Sequence, residues 1–105
     1  MKKVIRFDKR AEKEFKKFGS VVQAKIKAII DILARDGKLI EPFSKKIDKY
    51  LFEIRIVSEG QYRLLYAYLI GEYIIILSAF QKKTQQTPLK EIKKAKDRLN
   101  RYKII

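Results

Sequence analysis

Tyr73-Ile74-Ile75-Ile76-Leu77-Ser78-Ala79-Phe80 is the most apolar run of the chain, and it empties into Gln81-Lys82-Lys83-Thr84-Gln85-Gln86-Thr87-Pro88. An uncharged run rich in β-branched and aromatic side chains, with Gly71-Glu72 in front of it, reads as a strand covered on both faces and therefore central in its sheet. Lys82 and Lys83 are carried out on the end of that strand, where the core behind can hold them in place.

The two segments before it read as its neighbours. Leu51 to Ile56 alternates cleanly, with Phe52, Ile54 and Ile56 on one face and Glu53 and Arg55 on the other. Gln61 to Tyr68 sets Leu64 and Tyr66 on one face and Arg63, Leu65 and Ala67 on the other. A three-residue loop Ser58-Glu59-Gly60, with Gly60 left-handed, pairs Val57 with Gln61 and brings Arg55 directly opposite Arg63. A slip of one residue would set Ile54 against Arg63 and mix the faces, so pattern and turn agree. Gly71-Glu72 reads as a two-residue loop with glycine first, pairing Ile70 with Tyr73 and, counting along, Arg63 with Phe80. Ser78 and Lys82 then share the face of Arg55 and Arg63, while Gln81 and Lys83 point the other way.

Ahead of these strands, Val4 to Phe7 is a short strand and Asp8 caps a helix carrying Ala11, Phe15 and Phe18, stopped at Gly19. Ser20-Val21-Val22-Gln23 has capping-box spacing and opens a second helix, with Val22, Ile26, Ile29, Ile30 and Leu33 at helical period as far as Gly37. The pair forms a helical hairpin with Lys9, Lys13, Lys17, Lys25 and Lys27 outside. From Lys38 to Tyr50 the period is lost around Pro42, which predicts a loop pinned by Phe43 and Ile47. After the central strand, Thr87 as N-cap and Pro88 in the first turn open an amphipathic helix with Leu89, Ile92, Ala95, Leu99 and Tyr102 on one stripe.

A chain of 105 residues is expected to be one domain, 1–105, of the α+β class, large enough for a core without disulfides or metal. It has no cysteine and no histidine, which excludes thiol chemistry, an imidazole base and His/Cys zinc sites. Met1-Lys2-Lys3-Val4 runs into a strand pattern and not a signal peptide, and the apolar runs are too short to span a bilayer, so a cytoplasmic protein away from membranes is expected. The formal net charge of +14 calls for an anionic partner, nucleic acid first. From Lys82 to Lys103, nine cations face only Glu91 and Asp97.

Two arginines directly opposite on an antiparallel pair repel by a few tenths to about 1 kcal/mol. Glu53, on the same face, offsets part of this, and a bound phosphate gripped by guanidinium forks would offset the rest. Tyr62, Tyr66 and Tyr68 fall on the core side, which argues against a sheet that binds RNA by stacking alone.

Phe52-Glu53-Ile54-Arg55-Ile56, Gly60-Gln61-Tyr62-Arg63-Leu64-Leu65-Tyr66, the run from Leu77 to Pro88 and Glu91-Ile92-Lys93-Lys94-Ala95 together resemble the RelE/HigB family of type II toxin–antitoxin toxins, in its phage-derived, HigB-like branch. The resemblance covers essentially the whole chain. It implies a RelE-like microbial ribonuclease-type fold: an N-terminal strand and helical hairpin packed on an antiparallel sheet, with a C-terminal amphipathic helix. It also implies ribosome-dependent endoribonuclease (mRNA interferase) activity that inhibits translation, with no cofactor, restrained by a cognate antitoxin, a small helix-turn-helix DNA-binding protein. By position, the catalytic residues implied are Arg55, Arg63 and Lys82. Glu53 stands where RelE itself has a basic residue, and Ser78 where HigB-like relatives often have histidine.

On this reading the ribose 2′-OH attacks the adjacent phosphate. Arg63, with Arg55 beside it, holds the phosphate, Lys82 is the general acid with a pKa lowered by the arginines, and Glu53 is the nominal base. Lys83, Lys90, Lys94 and Arg98 are expected to bind RNA, and no metal is expected. The competing classes are a topoisomerase-poisoning toxin of the ParE type and a non-catalytic basic RNA-binding module.

Overall fold

The computed structural model describes residues 2–83 and 86–102. Thr84 and Gln85 of the polar run, and Lys103 at the end of the basic stretch, lie outside the described residues. The described residues form β1 (Val4–Phe7), α1 (Lys9–Lys16), α2 (Ser20–Asp36), β2 (Ser44–Lys46), β3 (Phe52–Val57), β4 (Gln61–Tyr68), β5 (Tyr73–Lys82) and α3 (Leu89–Leu99).

The strands make one sheet in the order β1-β5-β4-β3-β2, so the apolar strand β5 is interior, as its composition requires. β1 joins it in parallel, Val4 against Tyr73 and Phe7 against Ile76, and every other pairing is antiparallel. The sheet is therefore mixed at one edge. α1 and α2 cover one face, where Ala11, Phe15, Ile26 and Leu33 pack on Ile54, Leu64, Tyr66, Ile74 and Ile76. α3 covers part of the other, with Ala95 and Leu99 on Leu51, Leu65, Ala67, Ile75, Leu77 and Phe80.

Three local expectations change. Residues 44–46 are not loop but the edge strand β2, with Ser44 opposite Ile54 and Lys45 opposite Glu53. Three residues are too few to display alternation in a sequence, and Pro42 obscures the start. Phe43 does not pin this segment, being half exposed; Ser44 does, buried with Oγ 3.0 Å from the Tyr66 hydroxyl. Ile47, as expected, is partly buried against the α3-side core.

Caps differ too. Asp8 accepts the Arg10 backbone N–H at 2.9 Å as an N-cap should, and Gly37, at φ 78°, closes α2 in the left-handed conformation. But Gly19, not Ser20, is the α2 N-cap, and Gln23 instead donates to the Phe18 carbonyl at 2.8 Å, tying up the end of the preceding turn. Pro88 is the N-cap of α3, which leaves the Thr87 hydroxyl for another partner, and Leu89 is exposed instead of lying on the buried stripe.

The turns also redistribute. Val57 pairs with Gln61 and Arg55 with Arg63, as expected, but Glu59 (φ 53°) as well as Gly60 (φ 149°) takes positive φ. At the next hairpin Leu69 N–H donates to the Tyr73 carbonyl at 2.9 Å, so the loop is Ile70-Gly71-Glu72, one residue longer than expected. A β-bulge restores the count. Tyr66 pairs with Ile76 and Leu65 with Ser78, leaving Leu77 extra, and Arg63 still arrives opposite Phe80. The bulge has a packing reason: it lets Ile74 and Ile76 face α1 and α2 while Arg63 and Phe80 remain on the α3 side.

Candidate active site

α3 crosses only part of its sheet face. Beyond it, toward the Ser58–Gly60 turn, β2, β3, β4 and β5 present Lys45, Glu53, Arg55, Gln61, Arg63 and Lys82 on one side, because residues paired in register share a face: Lys45 with Glu53, Arg55 with Arg63, Gln61 with Lys82.

Glu53 is the centre of this group. It has no exposed surface, and Oε1 accepts from Nε of Arg55 at 3.0 Å and lies 3.5 Å from Nε of Arg63. Its other oxygen accepts from the Thr87 hydroxyl, which ties the segment leading into α3 to β3. The side chain read as a nominal base is thus enclosed by two guanidinium groups and a hydroxyl. It organises the cations.

Arg63 is similarly committed. Only 5% exposed, it donates through Nη1 to the Tyr62 carbonyl at 2.9 Å and through Nη2 to Oε1 of Gln61 at 2.7 Å. Burial is the main cause that lowers its pKa, with Arg55 adding to it and Glu53 opposing. Arg55 is the more open of the two arginines: its side chain is 30% exposed, and it donates to Glu53 through Nε. Lys82, at the end of β5, has its pKa lowered by burial first and then by Arg63, against the pull of Glu53. The expected direction holds, with burial the larger cause. Lys45 acts on it in the same sense. Ser78 sits at the bulge, fully buried, with Oγ unpaired among the described residues.

Of the four residues expected to bind RNA, Lys83 and Lys90 are exposed. The other two are part of the scaffold. Arg98 is buried and holds Glu14 through Nη1 at 3.0 Å and Nη2 at 2.9 Å, with the Leu77 carbonyl at 2.8 Å. Lys94 bridges Glu14 at 3.1 Å and Glu91 at 2.8 Å. A charge in a sequence is mute about an acidic partner 80 positions away, so these ion pairs were not legible in the sequence. Lys45 and Thr87 are the participants that the sequence reading missed. Lys45 was hidden by the loop assignment, although its spacing before Glu53 fits a short hairpin.

Among the described residues no group of His, Cys, Asp and Glu is arranged to hold a metal ion, and no helix is long and apolar enough to cross a membrane.

Comparison with known proteins agrees with this architecture. The family described as phage derived protein Gp49-like matches residues 13–100. Among solved structures, a mutant of the Escherichia coli toxin RelE in the free state superposes with a TM-score of 0.73 at 23% identity, covering 94% of this chain and 99% of that one. The toxin–antitoxin complex RelBE of E. coli matches at 0.64 and 25% identity, over 78% of this chain and 99% of the matched chain. RelBE2 of Mycobacterium tuberculosis matches at 0.62 and 20%, over 78% and 100%. No curated protein matches in sequence. The fold is that of the RelE toxins, as the resemblance implied.

Proposed function

The chain belongs to the Gp49-like family of phage-derived proteins, and from that premise we propose that it is the toxin of a type II toxin–antitoxin pair, acting as a ribosome-dependent, metal-independent endoribonuclease on messenger RNA. The observation that carries the reading is the convergence of Arg55, Arg63, Lys82 and Lys45 around one enclosed carboxylate on a sheet face that α3 leaves partly uncovered. Four cations around one acid exceed what a structural ion-pair network needs.

The ribose 2′-OH attacks the neighbouring phosphorus and the bond to the 5′-oxygen breaks, leaving a cyclic phosphate and a 5′-OH. Arg55 offers its fork to the phosphate oxygens as their charge grows. Arg63 stands behind it as a fixed positive charge, and Glu53 holds both guanidinium groups in place. Lys82 gives its proton to the leaving 5′-oxygen, a role its lowered pKa suits. With Glu53 enclosed, the 2′-OH proton passes to water, and the ribosome supplies the substrate positioning that a weak site lacks. The partner is a cognate antitoxin, a small helix-turn-helix DNA-binding protein, and the compartment is the cytoplasm.

The test is cleavage of translated messages by the purified protein on programmed ribosomes, with RNA ends mapped. Arg55→Ala should slow single-turnover cleavage by about 10²–10³-fold, by analogy with a deleted oxyanion donor. Lys13→Ala, on the outer face of the helical hairpin, should leave it nearly unchanged. Equal losses in the two variants, or growth arrest without any new RNA ends, would sink the nuclease assignment.

A further inference from the structure

A second feature adjoins Arg55 on the side away from Lys82. The Arg55 backbone N–H donates to the Phe43 carbonyl at 2.9 Å, which fixes Phe43 beside Arg55 where β2 leaves the edge of β3. There a cavity of about 280 Å³ opens at the sheet edge beside α2, lined by Lys25, Ala28 and Ile29 of α2, by Phe43, and by Arg55, Ile56 and Val57 of β3. Phe43 is 44% exposed and Val57 72% exposed. Both are among the exposed large apolar residues of a chain with net charge +14.

We propose that this cavity is a nucleobase subsite, in which Phe43 stacks on a base of the RNA strand next to the phosphate held by Arg55. The proposal rests on the nuclease reading above and adds to it where the substrate strand leaves the site. Three observations carry it. The volume lies just below the roughly 300–1,000 Å³ typical of small-molecule sites, room for a single flat ring system. The walls combine an aromatic face and aliphatic carbons with two cations, Lys25 and Arg55, and an RNA strand needs that pairing because each base it buries brings a phosphate with it. And Phe43 lies opposite Arg55 where β2 leaves the edge of β3, so a strand whose phosphate meets the Arg55 side chain has its next base within reach of Phe43. Stacking tolerates any base, so the subsite positions the strand without reading its sequence.

The experiment measures binding of a short single-stranded RNA carrying 2′-O-methyl groups, which cannot be cleaved by 2′-OH attack, to the parent, Phe43→Ala and Phe43→Trp. A second set of the same oligonucleotides carries an abasic residue at each position in turn. Phe43 is exposed, so both variants should fold. Phe43→Ala should weaken binding about 10-fold and Phe43→Trp should restore it, as for aromatic stacking generally. One abasic position should weaken the parent by a similar factor and leave Phe43→Ala unaffected, because the lost contact is the same one. On programmed ribosomes, an abasic nucleotide adjacent to the cut should slow the parent more than Phe43→Ala. Unchanged binding by Phe43→Ala, or an abasic penalty as large in Phe43→Ala as in the parent, overturns the subsite. Either result leaves the nuclease reading standing if Arg55→Ala still slows cleavage by about 10²–10³-fold. If Arg55→Ala cleaves normally, the nuclease reading itself has failed.

Discussion

Arg55 and Arg63, directly opposite on β3 and β4, share a single carboxylate oxygen: Oε1 of Glu53 lies 3.0 Å from Nε of the first and 3.5 Å from Nε of the second. The repulsion between the arginines is thereby offset from within the sheet, and the group is held together before any phosphate arrives.

Removing that carboxylate should be felt first in folding. Glu53→Ala leaves Arg63 buried without its compensating charge, and breaking a buried pair from one side costs about 3–5 kcal/mol. Adding Arg63→Met to the same variant should recover part of the loss, since no uncompensated charge then remains. Urea unfolding of the parent, single and double variants measures this, and a Glu53→Ala loss below about 1 kcal/mol would show that the pair is not the organiser described here.

Lys82 predicts the shape of the pH–rate profile. A general acid works in its protonated form, and because burial and Arg63 lower the Lys82 pKa, cleavage should begin to fall at a pH below the ordinary lysine value of 10.5. Lys82→Arg should remove that descending limb, since a guanidinium group does not titrate there, and Lys82→Ala should cost roughly 10²–10⁴-fold. A descending limb that persists in Lys82→Arg assigns the proton to another group.

Glu14 shares the acid limb of stability with Asp8, whose carboxyl, despite its burial, is held well below the usual carboxylate range by Arg10 and Tyr102. Burial opposes the charge of Glu14, but the hydrogen bonds from Arg98, the Ala79 backbone N–H and Lys94 outweigh this and lower its pKa below 4.5. A carboxylate lowered in the folded state stabilises the protein above its unfolded pKa, and that contribution disappears as pH falls from about 4.5 through the folded value. Glu14→Gln should therefore be less stable than the parent at neutral pH and lose less on acidification. Parallel stability curves for the two would contradict the assignment.

Two cations on or beside α3 should behave in opposite ways. Arg98→Ala removes the anchor between Glu14 and the Leu77 carbonyl, and should lower stability by more than about 2 kcal/mol. Lys90→Ala should leave stability within about 0.5 kcal/mol and reduce the salt dependence of RNA binding by at most about one unit of slope. Thermal unfolding and a salt titration separate the two, and equal effects would mean that α3 is not held as described.

Ser78→Ala should be neutral or mildly stabilising, because the buried hydroxyl it deletes has no hydrogen-bond partner among the described residues. Its cleavage rate should match the parent. A loss of activity without a loss of stability would instead make Ser78 part of the reaction.

What the sequence determined by itself is the pattern of opposition. Alternation in Leu51 to Ile56 and in Gln61 to Tyr68, joined by a short turn, was enough to set Arg55 against Arg63, because register in a hairpin is a local matter. The register of Arg63 with Phe80 was also legible, but only because the unforeseen bulge at Leu77 cancelled the longer loop at Ile70–Glu72. Tertiary structure decided how each charge is used. Arg63, Arg98 and Glu53 read as surface chemistry until α1, α3 and the Thr87 segment close over them, and burial makes them groups that hold the fold, while Lys94 is drawn into the same framework by its ion pairs with Glu14 and Glu91. Arg55, Lys82, Lys45 and Phe43 stay at the surface because α3 stops short of them and β2 ends beside them. Where an element stops is fixed by packing between residues tens of positions apart, and no local pattern records it.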